Sequence, residues 1–352
     1  MKRILFSVSG HGLGHLGQVA PVVRAVRALR PEIAIAVRTG IDRRVVEARL
    51  GFPVGHVAAD DDFGVEIRDG FDIDLPATGR AYDRLYDRWP DVLRDACAGI
   101  AAARPDLIVA NAGFIPLAAG AELGIPSVGL ASLDWHTILG GYWAGERPHV
   151  LRLMDDAYAS ARGLFAFAPA TAEAAWRRTT VLGPVADLGR ARGDALRDRL
   201  GVPRTHRILL CAFGNSPPPP PRTDLLTRPE TVFLVPRTWG GARSTVTIDD
   251  LDWPFIDLLA SSDACLTKLG YGVAAEAVRN DVPLLYHRRP GWREDAVLSA
   301  WTEAHGRAMR VDLSDLDAPG LRHALDRVTG LPRKAPTDFL DPKIAVSTLM
   351  DL

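Results

Sequence analysis

Cysteine is scarce in this chain: Cys97, Cys211 and Cys265 are the only three among 352 residues. An odd number of widely spaced thiols in apolar settings excludes a disulfide framework. They read as buried, reduced side chains of a cytosolic protein. No CxxC or HExxH spacing occurs, so a structural metal site has no support. Charge of one sign is lacking too. The formal net charge is -1, which leaves no long-range field to recruit nucleic acid or an anionic membrane. Arginines alternate with acids, as in Asp83-Arg84 and Arg197-Asp198-Arg199, the pattern of a mixed solvated surface. After Met1-Lys2-Arg3 the chain enters a strand with no signal-peptide core and cleavage site. No apolar run approaches the length of a membrane span. These absences place the chain in the cytoplasm as an expectation, and say nothing of its oligomeric state.

What is present is length for two domains with cores of their own. The composition is 47% apolar and 24% charged, that of an ordinary globular protein. Ile4 to Val8 reads as a strand, Ser9-Gly10-His11-Gly12-Leu13-Gly14-His15 as a glycine-rich loop, and Val19 to Leu29 as a helix. Pro21 is placed early in that helix, where a missing N–H costs little. Strands are expected at 33–37, 54–57, 106–110, 127–130 and 164–167, and residues 59–90 as a loop and helix over a cleft. Asp60-Asp61-Asp62 reads as a solvated acidic turn rather than a metal-binding carboxylate set. Gly183-Pro184-Val185 marks the crossing into a second half, which begins with a strand at 207–213. Pro217 to Pro221 reads as a stiff, extended surface loop.

The two halves echo one another. Ala118 to Val128 and Ala274 to Leu284 each read as helix, tight turn and X-Pro leading a strand. Strands alternating with helices predict parallel sheets in βαβ units. The expected fold class is therefore α/β, with two Rossmann-like domains (1–184 and 185–352) facing a cleft. Ligands belong at the C-terminal ends of the strands.

The most informative stretch is Lys268-Leu269-Gly270-Tyr271-Gly272-Val273-Ala274-Ala275-Glu276. It joins an apolar strand, Asp263 to Thr267, to a helix. Two glycines one residue apart permit a sharp turn and close approach of a ligand to the helix N-terminus. Unpaired amides and the positive end of the dipole favour a phosphate there. Glu276, one turn on, is placed to reach a ribose diol. The competing reading is an ordinary strand-to-helix turn with Glu276 on a solvated face. Ser261 to Asp263 before it, Asn280 to Tyr286 after it, and the polar loop Arg288-Arg289-Pro290-Gly291-Trp292-Arg293-Glu294-Asp295 favour the ligand site.

This series resembles the donor half of GT-B glycosyltransferases, closest to MurG-like transferases and the transferase-like half of L-arabinokinases. Gly10 to His15 resembles the first glycine-rich loop of both groups. The resemblance implies a 1–184 acceptor-side domain and a 185–352 donor-binding domain. It implies sugar transfer from a nucleotide-diphosphate donor, UDP-linked, to a small-molecule or lipid-linked acceptor, metal-independent and inverting. No cofactor beyond the nucleotide sugar is implied. His15 takes the position of the family's histidine near the acceptor, as base or polariser, and His11 is an extra residue. Gly12 and Gly14 line the acceptor-side loop. Gly214, Asn215 and Ser216 stand where the family has a glycine/serine loop, and here run into prolines. Lys268, Gly270, Tyr271, Gly272 and Val273 fall at the diphosphate, and Glu276 at the ribose. Arg293, Glu294 and Asp295 stand at the donor sugar, where the family has glutamines. Nothing like the galactokinase half of L-arabinokinase follows. A nucleotide-sugar epimerase and a non-catalytic nucleotide-sugar sensor are the alternatives.

Overall fold

The computed structural model describes residues 1–68, 71–143, 145–214, 230–289, 291–313 and 318–351. Asn215, Ser216 and the proline run 217–221 lie outside the described residues.

Two parallel sheets dominate. The first is built from β1 (Arg3–Val8), β2 (Ala34–Thr39), β3 (Gly55–Ala58), β4 (Leu107–Asn111), β5 (Ser127–Leu133), β6 (Leu164–Thr171) and β7 (Thr179–Leu182). Their order across the sheet is 3-2-1-4-5-6-7. The second comprises β8 (Arg207–Ala212), β9 (Thr231–Val235), β10 (Thr245–Thr247), β11 (Ala264–Lys268), β12 (Leu284–His287) and β13 (Ala308–Arg310). It repeats the pattern, with β8 at the reversal between β9 and β11. Strand order that reverses beside the first strand is the doubly wound plan, and the reversal opens a crevice at the strand C-termini. The continuous apolar runs follow from burial on both faces. Along β1, Ile4, Phe6 and Val8 enter one core while Leu5 enters another. Along β8, Ile208 and Leu210 face the first of these cores, whereas Leu209 and Cys211 face a third. One core thus runs through both halves.

Six helices shape the cleft and its hinge: α1 (Leu13–Leu29), α2 (Arg43–Leu50), α3 (Trp135–Trp143), α4 (Tyr271–Arg279), α5 (Asp295–His305) and α6 (Pro342–Met350). The sequence echo is structural. Ile115–Leu123 and α4 each link the fourth strand of a sheet to its fifth. In their following turns Gly124 (φ 66°) and Asp281 (φ 50°) both adopt the left-handed conformation, which glycine and, less readily, aspartate tolerate.

The first sheet ends with β7 at Leu182 and the second begins with β8 at Arg207. The last helix does not follow that division. Leu340 N donates to Pro184 O at 2.8 Å, and α6 then lies against α1, inserting Ala345, Val346 and Leu349 into the shared core. The chain therefore passes between the halves twice. Helical periodicity shows that α6 has an apolar face, but not which half that face covers.

Candidate active site

The glycine-rich segment after β1 is shorter as a loop than its composition suggests. Gly12 caps α1 in an extended conformation, and the helix begins at Leu13. His15 therefore sits in the first helical turn, not in the loop, and Pro21 lies in the helix interior. Packing overrides the weak propensity of the Gly12/Gly14 start, because α1 is packed between the first sheet and the helices α4 and α6. Val19, Val22, Val23 and Val26 are all buried.

That placement fixes the chemistry of His15. Its Nδ1 lies 2.7 Å from Asn111 Oδ1 at the end of β4. Asn111 Nδ2 donates to Leu130 O (2.8 Å) and to Gln18 Oε1 (3.1 Å), and Gln18 Nε2 donates to Ser132 Oγ (2.8 Å). A backbone carbonyl only accepts, so Leu130 sets the orientation of the Asn111 amide, and Oδ1 must accept from His15. Nδ1 then carries the proton and Nε2 keeps its lone pair. Burial lowers the His15 pKa from 6.5 to about 4, against the opposing effect of the Asn111 hydrogen bond. An amide partner carries no charge to offset the lost hydration of an imidazolium.

His11 stands beside it, with ring centroids 6.3 Å apart. Its Nδ1 donates to Phe63 O at 3.1 Å, so its Nε2 is likewise unprotonated. The rings of Trp135 and Trp292 lie 5.4 and 5.7 Å away. Burial, then the charge of His15, lowers the His11 pKa to about 3, with Arg289 and Lys268 adding to the effect. Both imidazoles are neutral at physiological pH.

The Asp60–Asp62 turn is solvated only in part: Asp60 is exposed, while Asp61 and Asp62 are half-buried. Asp61 is paired with Arg38 through Nη1 at 2.9 Å. Asp62 turns inward to accept from Trp135 Nε1 at 2.8 Å, while its carbonyl accepts from Gly10 N at 3.3 Å. Burial and then Asp61 raise the Asp62 pKa to about 7. Charge density made this segment look like surface, and the long-range pairs with Arg38 and Trp135 have no local sequence signal. Asn111, Gln18, Asp62 and Trp135 are the site residues that sequence reading missed. The polar side chain ending the otherwise apolar β4 was the one hint.

The Lys268–Val273 segment packs directly onto α1. Gly270 caps α4 without a side-chain hydrogen bond. A Cβ on Gly272 would stand 3.2 Å from Gly14 Cα, so the first turns of α1 and α4 meet with no room for a side chain. Tyr271 is structural, since its hydroxyl accepts from Val185 N and donates to Ala168 O, both at 3.0 Å. Val273 packs at the edge of the shared core. Lys268 ends β11, and burial together with Arg289 lowers its pKa to about 8. Gly214, two residues after β8, has φ 71°.

Glu276 is buried at 4% exposure. Its Oε1 is bonded to Arg49 Nη2 on α2, and Arg49 also lies 3.0 Å from Asp187, itself paired with Arg24. Burial raises the Glu276 pKa while Arg49 opposes that rise. The carboxylate thus bridges the halves, and Oε2 has no hydrogen-bond partner among the described residues. Asp295, at the start of α5, is engaged by its own loop: Oδ2 accepts from Arg288 Nε and Oδ1 from Arg289 N, both at 2.7 Å. That pairing takes Asp295 away from the expected reading of a sugar. Glu294 is buried beside Arg289, and Arg293 is exposed, its N donating to Tyr142 Oη at 3.0 Å. Among the described residues no group of three or more His, Cys, Asp or Glu side chains is arranged to hold a metal. No helix among them is long and apolar enough to cross a membrane.

No protein-family model matches the chain. An L-arabinokinase of Arabidopsis thaliana is 24% identical over 317 residues, covering 84% of this chain and 29% of that protein. The chain thus spans under a third of that relative's length. The calicheamicin glycosyltransferase CalG4 superposes with a TM-score of 0.59 at 19% identity, covering 94% of this chain and 90% of that one. The fold is that of the GT-B glycosyltransferases. Glycosyltransferase VinC in complex with dTDP gives 0.55 at 18% identity over 99% of this chain and 94% of that one. The same GT-B plan extends to a UDP-N-acetylglucosamine 2-epimerase of Listeria monocytogenes, at 0.57 and 15% identity over 99% and 96%. In this chain α1 and α4 meet with a neutral imidazole pair on one side and an uncapped helix N-terminus on the other.

Proposed function

We propose that the protein transfers a glycosyl group from a nucleotide-diphosphate sugar to an acceptor hydroxyl. The observation that carries this reading is the contact of the two helix starts. α1 presents His15 with Nε2 unprotonated. The uncapped start of α4 lies so close that a Cβ on Gly272 would stand 3.2 Å from Gly14 Cα. In the proposed step the acceptor O–H proton passes to His15 Nε2. The acceptor oxygen bonds to the anomeric carbon as the bond to the β-phosphate oxygen breaks, and the electron pair leaves with the diphosphate. Attack opposite the leaving group inverts the anomeric configuration. Amides and dipole at the start of α4 stabilise the leaving charge without a metal.

Glu276 Oε2 is proposed to take a ribose hydroxyl, with Arg49 retaining Oε1. Glu294 and Arg293 are proposed to read the sugar. A UDP-linked donor of hexosyl or N-acetylhexosaminyl type, a small or lipid-linked acceptor and a cytoplasmic setting complete the reading, on the strength of the sequence resemblance. VinC, whose structure holds dTDP, makes a thymidine donor the first competitor in a screen.

The test is a thermal-shift panel of UDP-, dTDP- and GDP-sugars, followed by turnover assays. A donor at a hundredfold its Kd adds about 2.7 kcal/mol of stability. Turnover requiring an acceptor supports the transferase. The epimerase fold neighbour gives the second reading its basis, and conversion of the donor sugar without acceptor would establish it. Donor binding with no turnover under any condition would leave a sensor.

A further inference from the structure

Arg49 was not singled out by the sequence, yet it decides what Glu276 can still bind. It stands in the last turn of α2. Its Nη2 is bonded to Glu276 Oε1 and lies 3.0 Å from Asp187 Oδ2. Asp187 is paired in turn with Arg24 of α1, and Arg24 Nη1 donates to the Arg49 backbone carbonyl at 2.8 Å. From the end of α4, Asn280 Nδ2 donates to Asp187 O at 3.0 Å and to Glu276 O at 2.8 Å. Two guanidinium groups and two carboxyl groups thus form one charge-balanced cluster that joins α1, α2 and α4.

The cluster holds Arg49 in place. Withdrawing Nη2 would leave the Glu276 carboxylate, 5% exposed, without its counter-charge, and breaking a buried pair in that way is strongly unfavourable. A Cβ on Gly17 of α1 would stand 3.5 Å from Nη2 and 3.9 Å from Oε1, so the bonded pair is packed against α1. Oε2 is in a different position. It has no hydrogen-bond partner among the described residues, and it is not sealed from solvent, because their buried orphan atoms include Arg49 Nε but not this oxygen. A free carboxylate can hold two neighbouring hydroxyls, one on each oxygen. Here Arg49 already occupies one of them.

We propose that Arg49 restricts Glu276 to a single hydroxyl of the ligand's ribose, so that nucleoside diphosphates lacking the other hydroxyl are bound as well as the full ribonucleotide. This assignment rests on the donor-site reading above and deepens it. The ligand class then includes nucleotides with one hydroxyl on that ring. Arg49 is a positioning residue in this scheme, acting through Glu276 from the other half of the chain.

The full chain, titrated calorimetrically with UDP and GDP and then with the 2′-deoxy and 3′-deoxy forms of whichever binds, supplies the test. In wild type one deoxy form should match the ribonucleotide within about twofold, and the other should bind roughly tenfold more weakly. Arg49→Met frees Oε1, so both deoxy forms should then fall behind the ribonucleotide by roughly fivefold or more, with a lower Tm. Arg49→Lys keeps a cation at Oε1 and should restore the wild-type ratio. That ratio is the decisive readout, because a merely structural role for Arg49 would weaken all three ligands alike. Should Arg49→Met fail to fold, the wild-type ratio carries the test by itself. Both deoxy forms weakened in wild type, or an unchanged ratio in a folded Arg49→Met, overturns the role of Arg49 and leaves the donor site standing. Neither form weakened in wild type removes Glu276 from the ribose, and the inference with it. No binding of UDP or GDP overturns the donor-site reading and this one together.

Discussion

Replacing Asn111 by aspartate should move the acid limb of the pH–rate profile, and the structure sets the size and sign of the move. In the wild type His15 titrates at about 4 rather than 6.5, equivalent to about 3.4 kcal/mol against the imidazolium. A base acts only when unprotonated, so activity is lost as pH falls through that value. The wild-type kcat/KM should therefore hold down to about pH 5 and halve near pH 4. A carboxylate in place of the amide oxygen 2.7 Å from Nδ1 favours the charged ring, and opposite charges at such range raise a pKa by about 1–3. The limb in Asn111→Asp should then lie between about 5 and 7. At pH 5 the variant would keep between about half and a hundredth of its plateau rate, while wild type keeps nearly all. The change has a structural cost, because the new carboxylate would turn an acceptor toward Leu130 O, which now accepts from Asn111 Nδ2. A loss of about 1–3 kcal/mol in stability, seen as a lower Tm, should accompany the shifted limb. A wild-type limb at 6.5, or an unmoved limb in a folded Asn111→Asp, would refute the assignment of His15 as base.

Three further outcomes are expected. His15→Ala should lower kcat by about 10²–10³, the lower part of the range for a general base because a weak base gives less assistance. Donor affinity by calorimetry should hardly change, and His11→Ala should cost less; the reverse ranking would make His11 the base. Glu276→Ala should weaken donor binding roughly tenfold through loss of a charge-assisted hydrogen bond. Unchanged affinity would leave the carboxylate with only its Arg49 pairing. Activity should survive excess EDTA, since the amides and dipole at the start of α4 would carry the diphosphate charge. Loss restored by Mg²⁺ would show that a divalent ion belongs in the mechanism.

The fold was legible because it is written in local patterns. The apolar pentads at 4–8, 107–111 and 264–268 are central strands, and the repeated helix–turn–Pro unit occupies the same slot in both sheets. That Gly14 and Gly272 meet accords with both following strand ends beside a reversal of strand order. The electrostatics of His15 were not legible. The Asn111 partner is ninety-six residues from His15, and its amide decides both the tautomer and the low pKa. Glu276 looked free because Arg49 reaches it from the other half, and Asp62 looked solvated because nothing adjacent announces Trp135. Arg289 and Arg288 are neighbours of the same type, yet one is buried on Trp292 and the other is bonded to Asp295. Such differences arise only in packing.

The double passage of the chain between the halves has a mechanical consequence. The two crossings are laced together where Leu340 bonds to Pro184, and a Cβ on Gly183 would sit 3.1 Å from Leu340 N. With the two crossings bonded side by side, any separation of α4 from α1 has to carry both strands of the connection together or break the Leu340–Pro184 hydrogen bond. The double passage also makes the halves poor candidates for separate expression. A fragment ending at residue 184 would leave the α1 surface that Ala345, Val346 and Leu349 cover open to water, and with it a sticky edge of the core.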